Sequence, residues 1–271
     1  MEINANTALY AVIGCPIRHS LSPIIQNVAF RHHGLNAVYV AFEVEDLASA
    51  IKGVRSLGIK GLSVTVPHKV KIMSFLDGID ETAKEIGAVN TVVNQDGKLL
   101  GFNTDWLGVL LALKEEGEIS GKKFVVLGAG GAARAVVYAL VKEGAGVVIL
   151  NRTYEKGVAL AKEFNVDALP LNQLSKIEAY GLINTTSVGM WPKIDETLVP
   201  SYILKHFSLV MDIVYHPFKT RLLQEAEEMG CKTVVGLKML VYQGAEQFKL
   251  WTEKAAPVNE MFDAAKKALK E

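Results

Sequence analysis

Short apolar runs alternate with segments of helical spacing through the first third of the chain. Runs typical of strands cover Tyr10–Gly14, Ala37–Glu43 and Gly61–Val66, and helical spacing of apolar residues marks Pro23–His33 and Leu47–Leu57. This βαβαβ alternation predicts a mainly parallel sheet, because the crossover helices between parallel strands cover both of its faces.

A turn-rich segment follows the third predicted strand. Helices are predicted at Lys69–Phe75 and Asp80–Ile86. Beyond them, the dipeptide Asp96-Gly97 separates two apolar runs, Thr91–Val93 and Leu99–Phe102. Asp-Gly between apolar segments is a strong short-range indication of a β-hairpin, since both residues accept the backbone angles of a tight turn.

A helix from Asp105 to Glu116 leads into a second alternating unit. Its strands are predicted at Lys123–Leu127, Val147–Leu150, Leu182–Asn184, Leu209–Ile213 and Thr233–Val235, and its helices at Ala132–Lys142, Tyr154–Phe164 and Thr220–Met229. The first strand is apolar after Lys123, as expected of a central parallel strand covered on both faces. The unit therefore resembles a doubly wound, dinucleotide-type sheet.

The last segment, Lys238–Lys270, is helical by pattern and is free to pack back on the first unit. The predicted fold is α/β with two domains. An N-terminal α/β domain with a mainly parallel sheet comprises residues 1–104 with 239–271, and a Rossmann-type doubly wound domain comprises residues 105–238.

Composition limits the possible partners. The 29 Lys and Arg residues equal the 29 Asp and Glu residues, so no positive field favours nucleic acid, and a small molecule is the expected partner. Cys15 and Cys231 lack metal-ligand spacing, which indicates reduced thiols and no metal site. The chain start does not resemble a signal peptide, and Arg134 and three glycines interrupt the most apolar stretch, Phe124–Val141. We therefore expect a cytoplasmic protein without a membrane span.

A glycine loop connects the first strand of the second unit to its first helix. The loop reads Gly128-Ala129-Gly130-Gly131-Ala132-Ala133. The first glycine allows a tight turn, the second lets the backbone approach a pyrophosphate, and the helix N-terminus supplies unpaired N–H groups. The third fingerprint position is alanine, which the motif tolerates. A glycine-rich turn without a ligand is the alternative interpretation, but the strand–loop–helix context favours dinucleotide binding.

The end of the next strand indicates the type of dinucleotide. An acidic residue there would bind the 2′-OH of NAD, but this chain has Asn151-Arg152-Thr153, with Lys156 one turn later. These side chains donate hydrogen bonds without negative charge, and a guanidinium can grip a 2′-phosphate. The sequence therefore favours NADP, although Arg152 and Lys156 could also be solvated surface residues.

Polar residues cluster where predicted strands end and helices begin in the first unit. The segments are Ser20–Pro23, Thr65–Lys69, Asn90-Thr91 and Asn103–Asp105. Open α/β sheets bind ligands at such positions. Taken singly, each has a structural explanation: Ser22 before Pro23 could be a helix N-cap, Asp105 could be another, and Lys69 could be solvated.

Together these motifs resemble the shikimate dehydrogenase family, and the resemblance runs from Ile13 to about Gln247. The segments that carry it are 14–23, 63–69, 87–91, 101–105, the glycine loop, 151–153, 184–190, 212–215 and 242–244. Nine motifs in the same order are far more specific than any one of them. The resemblance implies an NADP-dependent oxidoreductase that interconverts 3-dehydroshikimate and shikimate in aromatic amino acid biosynthesis.

The resemblance also implies roles for individual residues. The substrate would be held by Ser20, Ser22, Thr65, Lys69, Asn90, Asp105, Tyr215 and Gln243, with Lys69 and Asp105 as the catalytic pair. The cofactor would be bound by Gly128, Ala129, Gly130, Gly131, Ala132, Asn151, Arg152, Thr153, Lys156, Ile213 and Gly236, and Thr186, Ser187, Met190 and Met239 are further candidates for its path. His68, despite adjoining Lys69, is expected to point away from its neighbour.

Three other functions remain open from the sequence. A quinate/shikimate dehydrogenase would share the Lys–Asp pair but accept quinate and often NAD. A non-catalytic NADP sensor would need neither Lys69 nor Asp105, and a methylene-folate type dehydrogenase would lack the Ser20-Leu21-Ser22 segment. A monomer or a homodimer would each be consistent with the sequence.

Overall fold

The computed structural model describes residues 2–269 and divides into two compact units. The chain up to Thr104, together with the residues from Val241 onward, forms the first unit, and Asp105–Leu240 forms the second. Each unit contains its own six-stranded sheet. The fold is therefore α/β, as predicted from the alternation of strand and helix patterns.

The first unit begins with the predicted βαβαβ series. Its elements are β1 (Ala8–Gly14), α1 (Ser22–His32), β2 (Ala37–Glu43), α2 (Leu47–Ser56), β3 (Gly61–Val64), β4 (Gly78–Ile79), α3 (Glu81–Ile86), β5 (Thr91–Gln95) and β6 (Lys98–Phe102). The sheet order is β2-β1-β3-β5-β6-β4. Only β5 runs antiparallel to its neighbours, β3 and β6, so the sheet is mainly parallel.

The hairpin between β5 and β6 forms where Asp96-Gly97 predicted it. Both residues have positive φ, 49° at Asp96 and 91° at Gly97, the conformation that a two-residue hairpin turn requires. The hairpin matters for the site because it fixes Asn90 and Thr104 just outside its two ends.

The first unit differs from prediction at several points, and β3 ends at Val64 rather than at Val66. The predicted helix Lys69–Phe75 is a 3₁₀ helix at Lys71–Phe75, and Lys69 itself lies in a preceding turn. The strand β4 was not predicted, because two residues, Gly78 and Ile79, are too few to show an apolar period. The core beneath this sheet is aliphatic and includes Leu47, Leu62 and Ile72.

The second unit has the topology of a dinucleotide-binding sheet. Its elements are α4 (Asp105–Lys114), β7 (Lys123–Leu127), α5 (Gly131–Lys142), β8 (Gly146–Asn151), α6 (Tyr154–Phe164), β9 (Asp167–Pro170), β10 (Gly181–Asn184), α7 (Ser201–Leu204), β11 (Leu209–Asp212), α8 (Arg221–Glu228) and β12 (Lys232–Val234). All strands are parallel, in the order β12-β11-β10-β7-β8-β9. Counted within the unit, this is the Rossmann order 3-2-1-4-5-6, whose ligand crevice lies where the strand order reverses, between β7 and β10.

Small differences from prediction remain in the second unit. The strand β9, the helix α7 and a 3₁₀ helix at Leu171–Lys176 were not predicted. The exposed side chain of Asp167 and the partly exposed Ala168 explain why β9, at the sheet edge, lacks the continuous apolar run of the central strands. The last strand, β12, begins and ends one residue earlier than predicted.

The C-terminal segment forms two helices rather than one, α9 (Gly236–Thr252) and α10 (Val258–Ala268). Between them Glu253 adopts a positive φ of 59°, which ends α9, and Pro257 precedes α10. The predicted end at Lys270 lies outside the described residues. The segment packs on the first unit as expected: α10 contacts α1, and Trp251 Nε1 donates to the carbonyl of Val92 at 3.0 Å.

Candidate active site

The glycine loop after β7 has the geometry that the sequence required. Gly128 has a φ of +113°, and a Cβ placed there would lie 2.5 Å from Thr185 Oγ1, so only glycine fits. Gly130 is the N-cap of α5, and a Cβ there would meet no atom within 4 Å. The first turn of α5 contains no acidic residue, so its unpaired N–H groups and dipole favour an anion.

A cavity of about 190 Å³ lies beside this loop. Its walls are Gly128, Leu150, Asn151, Arg152, Leu171, Thr186, Ser187, Val188 and Leu198. The structure thus brings Gly128 together with the end of β8, and Thr186 and Ser187 line the same cavity. Ala129, Gly130, Gly131, Ala132, Thr153, Lys156 and Met190 do not line this cavity.

The end of β8 presents donors and no carboxylate. Asn151 Nδ2 donates to the carbonyl of Thr153 at 2.8 Å, which shapes the turn before α6. The side chains of Arg152, Thr153 and Lys156 are exposed. This set of donors fits a dinucleotide that carries an additional phosphate on its adenosine ribose, because a guanidinium and an ammonium both bind phosphate oxygens.

A buried carboxylate connects the loops at the next strand ends. Asp212, at the end of β11, is fully buried and accepts from Asn184 Nδ2 (2.9 Å), Val214 N (3.0 Å) and Thr220 Oγ1 (2.8 Å). Asn184 Oδ1 in turn accepts from Thr186 Oγ1 at 2.7 Å. Burial raises the pKa of Asp212 to about 7, and these three hydrogen bonds oppose that rise. This network was not predicted from the sequence.

The strand ends also bring together the two predicted residues Ile213 and Gly236. A Cβ on Gly236 would lie 2.5 Å from the carbonyl carbon of Ile213 and from the carbonyl oxygen of Val214. No side chain fits there, so glycine lets the start of α9 approach the backbone after β11. Tyr215 lies two residues after Ile213 and is half-buried in the same unit.

Ser20 and Ser22 lie together at the start of α1. The Ser22 amide donates to Ser20 Oγ at 3.3 Å. The N-cap interpretation of Ser22 is wrong: the N-cap position is Leu21, whose backbone is already helical, and no side chain caps the helix. The Ser22 hydroxyl instead forms a hydrogen bond with the buried phenol of Tyr39.

Thr65 and Lys69 lie in the turn after β3. A Cβ on Gly14 would lie 2.5 Å from Thr65 Cγ2, so glycine makes room for this threonine. The Lys69 carbonyl accepts from Val89 N at 2.8 Å, which ties the lysine backbone to the residue before Asn90. His68 is buried, and its Nε2 lies 2.7 Å from the carbonyl of Val44, so its ring serves packing rather than facing a ligand.

Asn90 is the centre of a buried polar cluster in the first unit. Its Oδ1 accepts from the backbone amide of Thr104 at 2.7 Å and from Thr91 Oγ1 at 2.7 Å. Its Nδ2 donates to Thr104 Oγ1 at 3.0 Å and to Gln243 Oε1 at 3.2 Å. The structure thus joins the predicted residues Asn90 and Gln243 directly.

Three buried polar residues around this cluster were not singled out from the sequence: Tyr39, Ser63 and Gln247. Thr91 was named only as part of the Asn90-Thr91 segment. Gln247 follows Gln243 by four residues, so the two amides share one face of α9; that spacing could have indicated a pair. No local pattern indicated Tyr39 or Ser63.

Asp105, the other proposed catalytic residue, is the first residue of α4 and belongs to the second unit by its contacts. The residue is 4% exposed, and a carboxylate in the first turn is favoured by the helix dipole. Within residues 2–269, no group of three or more His, Cys, Asp or Glu side chains is arranged to hold a metal ion. No helix in that range has the length and apolar character to cross a bilayer.

Comparisons with known proteins match almost the whole chain. Residues 12–92 match the family described as the shikimate dehydrogenase substrate binding domain, residues 110–208 match shikimate / quinate 5-dehydrogenase, and residues 236–266 match the shikimate 5′-dehydrogenase C-terminal domain. A shikimate dehydrogenase (NADP(+)) of Thermococcus kodakarensis is 53% identical, with 92% of each chain covered.

Two solved structures are also similar. A shikimate dehydrogenase in complex with NADP+ has a TM-score of 0.94 at 44% identity, covering 100% of this chain and 98% of its own. The Thermus thermophilus enzyme in complex with NADP(H) and shikimate has a TM-score of 0.90 at 39% identity, covering 96% of this chain and 99% of its own. With matching motifs, topology and sequence over nearly its full length, the chain belongs to the shikimate dehydrogenase family.

Proposed function

We propose that this protein is an NADP-dependent oxidoreductase that reversibly reduces 3-dehydroshikimate to shikimate, a step of aromatic amino acid biosynthesis. The observation that carries the proposal is the cavity in which Gly128, with its glycine-only conformation, adjoins Asn151 and Arg152 at the edge of a Rossmann sheet. Its relatives carry the same activity in their names, and one similar structure holds both NADP(H) and shikimate.

The cofactor residues divide into three groups by what they offer. The loop from Gly128 to Ala132 would present backbone N–H groups to the pyrophosphate, and Asn151, Arg152, Thr153 and Lys156 would hold the 2′-phosphate. Ile213 and Gly236 would border the nicotinamide. When bound, the nicotinamide accepts or returns the hydride.

The first unit supplies most of the proposed substrate contacts. They are Ser20, Ser22, Thr65, Lys69, Asn90 and Gln243, with Asp105 and Tyr215 from the second unit. Serine, threonine and amide side chains donate and accept neutral hydrogen bonds, which suits the hydroxyls and carboxylate of a polyhydroxy acid. We accordingly assign substrate binding to residues 1–104 with 239–271 and NADP binding to residues 105–238.

Lys69 and Asp105 form the proposed catalytic pair. Oxidation of the C3 alcohol removes a hydride from carbon and a proton from oxygen, and the Lys69 amine takes that proton; in reduction the ammonium returns it. In this proposal the Asp105 carboxylate would orient the amine and accept a hydrogen bond from the same hydroxyl. The reaction needs no metal in this scheme.

The setting and assembly are part of the proposal. A biosynthetic dehydrogenase with two free cysteines, Cys15 and Cys231, suits the reducing cytoplasm. We expect it to act as a monomer or a homodimer. Quinate remains a second candidate substrate, because the family that matches residues 110–208 is named for both acids.

Lys69→Ala tests the catalytic assignment. Loss of a general acid–base group lowers turnover by about 10²- to 10⁴-fold, while the KM for NADP should stay near that of the wild type. Lys71→Ala, which removes an exposed lysine in the adjoining 3₁₀ helix, is the matched control and should keep wild-type rates. Near-normal turnover of Lys69→Ala in a steady-state assay would overturn the assignment.

A further inference from the structure

A chain of buried hydrogen bonds runs through the first unit beneath the proposed substrate residues. The Tyr39 hydroxyl lies 2.5 Å from Ser63 Oγ, and Ser63 Oγ lies 2.7 Å from Gln247 Oε1. Gln247 Nε2 reaches Thr91 Oγ1 at 3.0 Å and the carbonyl of Asn90 at 3.1 Å. We call Tyr39, Ser63, Gln247 and Thr91 the inner chain.

Every member of the inner chain is removed from solvent. Exposure is 1% for Tyr39, 6% for Ser63, 0% for Thr91 and 1% for Gln247. Burial raises the pKa of the Tyr39 phenol far above its ordinary value, so the phenol stays protonated and can donate. A buried polar group without a partner is costly, so each bond in the chain constrains the next.

The direction of these hydrogen bonds follows from one fixed point. A backbone carbonyl only accepts, so the Gln247 nitrogen must face the carbonyl of Asn90 and the Gln247 oxygen must face Ser63. The single Ser63 proton is therefore directed to Gln247, and Tyr39 donates to Ser63. The chain has one polarity from Tyr39 to Gln247.

The same polarity continues to Asn90. Thr91 Oγ1 accepts from Gln247, and its own proton is donated to Asn90 Oδ1, which also accepts from the backbone N–H of Thr104. The Asn90 nitrogen consequently faces Gln243 Oε1. The backbone carbonyl of Asn90 and the backbone N–H of Thr104 thus fix which end of each amide donates. Thr91 and Gln247, which lie outside the proposed list of substrate contacts, hold the Asn90 amide in that orientation.

We propose that the inner chain positions the substrate-binding amides, with Gln247 as its principal positioning residue. Gln247 holds the backbone of Asn90 directly and the Asn90 side chain through Thr91. Because the two amides of Asn90 and Gln243 recognise hydroxyl groups by matching donors to acceptors, their fixed orientation sets which pattern of ring hydroxyls binds. The inference rests on the proposed function, since it concerns the recognition of the same polyhydroxy acid.

The order of hydrogen bonds in the inner chain predicts a graded rise in the KM for shikimate. Gln247→Met keeps the length of the side chain but removes both donors and the acceptor, and we expect the KM for shikimate to rise about tenfold, equivalent to ~1.4 kcal/mol. Ser63→Ala leaves the Gln247 oxygen without its donor and should give a smaller rise. Tyr39→Phe, one bond farther along the inner chain, should also give a rise smaller than that of Gln247→Met, although it removes the partner of the Ser22 hydroxyl as well. The KM for NADP should not change in any of the three.

Gln26→Met is the matched control. Gln26 is also fully buried in the first unit and also contacts α9, donating to the carbonyl of Gly244 at 2.8 Å, but it takes no part in the inner chain. Tyr10→Phe is the control for Tyr39→Phe, because both rings pack against Trp251. We expect both controls to keep the wild-type KM for shikimate, whatever their melting temperatures.

Steady-state kinetics of the wild type and these five variants, each with its melting temperature, is the experiment. Wild-type protein that fails to oxidise shikimate would refute the proposed function itself. If the wild type is active, equal changes in the KM for shikimate in Gln247→Met and Gln26→Met would refute positioning. A lower melting temperature of Gln247→Met with an unchanged KM for shikimate would refute it as well. A raised KM in Gln247→Met with silent Ser63→Ala and Tyr39→Phe would show direct contact by Gln247 and would also overturn the proposal.

Discussion

The two units build their polar sites by different means. In the second unit, Gly128 and Arg152 directly follow two neighbouring strands and Asn151 ends one of them, so these cavity-lining residues come from two strand ends. In the first unit, Asn90 is held by Thr91 of β5 and Gln247 of α9, and Ser63 of β3 holds Gln247 in turn, so the contributing elements lie far apart in sequence. A site built from strand-end loops has a sequence motif, whereas a site built from a buried side-chain network has none.

From this comparison we expect the largest effect of a substitution in the glycine loop, where the change acts through the backbone. Gly128→Ala places a Cβ against Thr185 at a φ of +113°, and we expect the free energy of unfolding to fall by about 2 kcal/mol or more. Binding of NADP should be lost with it. Thermal melting and calorimetric titration with NADP measure the two effects.

Gly130→Ala is the matched control for that change. Its φ of −94° suits any residue and its Cβ would meet no protein atom, so the melting temperature should stay near that of the wild type. Weaker NADP binding would then reflect the approach of the pyrophosphate alone. Equal destabilisation by both substitutions would contradict the distinction between the two glycines.

An intermediate effect is expected at Arg152, which supplies a side chain rather than backbone. Arg152→Ala removes a charge-assisted contact worth ~1.5–3 kcal/mol, so the KM for NADP should rise about 10- to 100-fold. The KM for NAD, which lacks the 2′-phosphate, and the KM for shikimate should not change. A parallel rise in the KM for NAD would argue against a 2′-phosphate contact.

A pH-dependent effect is expected at Asp212, the one buried carboxylate of the second unit's loop network within the described residues. Because burial raises its pKa from 3.8 to about 7, the folded state binds a proton that the unfolded state releases between these values. Stability from this group is therefore present at low pH and declines as pH rises to about 7. Asp212→Asn cannot titrate, so its melting temperature should improve relative to the wild type as pH rises from about 5 to 7.

Above pH 7 the difference in melting temperature between Asp212→Asn and the wild type should become constant. Thr220→Val serves as a control. It removes one hydrogen bond to Asp212 but leaves the carboxyl group in place, so its melting temperature should still depend on the titration of that group. Melting curves of Asp212→Asn and the wild type that shift in parallel across the whole pH range would contradict the raised pKa.

What could be predicted from the sequence follows the same division. Every strand of the Rossmann sheet except β9 was predicted, because each carries an apolar run, and the glycine loop and Arg152 follow from strand–turn–helix context. The N-cap interpretation of Ser22 failed because Leu21 already adopts helical angles. Ser63 and Gln247 were missed because their contacts join residues 184 positions apart, which no local spacing reveals.

The most direct test of the account is the rate of NADPH or NADH formation when the purified protein meets shikimate or quinate with NADP or NAD. We predict rapid turnover with shikimate and NADP, and slow turnover with the other three pairs. Comparable rates with quinate or NAD would indicate the broader quinate/shikimate activity. Tight NADP binding without turnover of either acid would contradict the account and indicate a sensor.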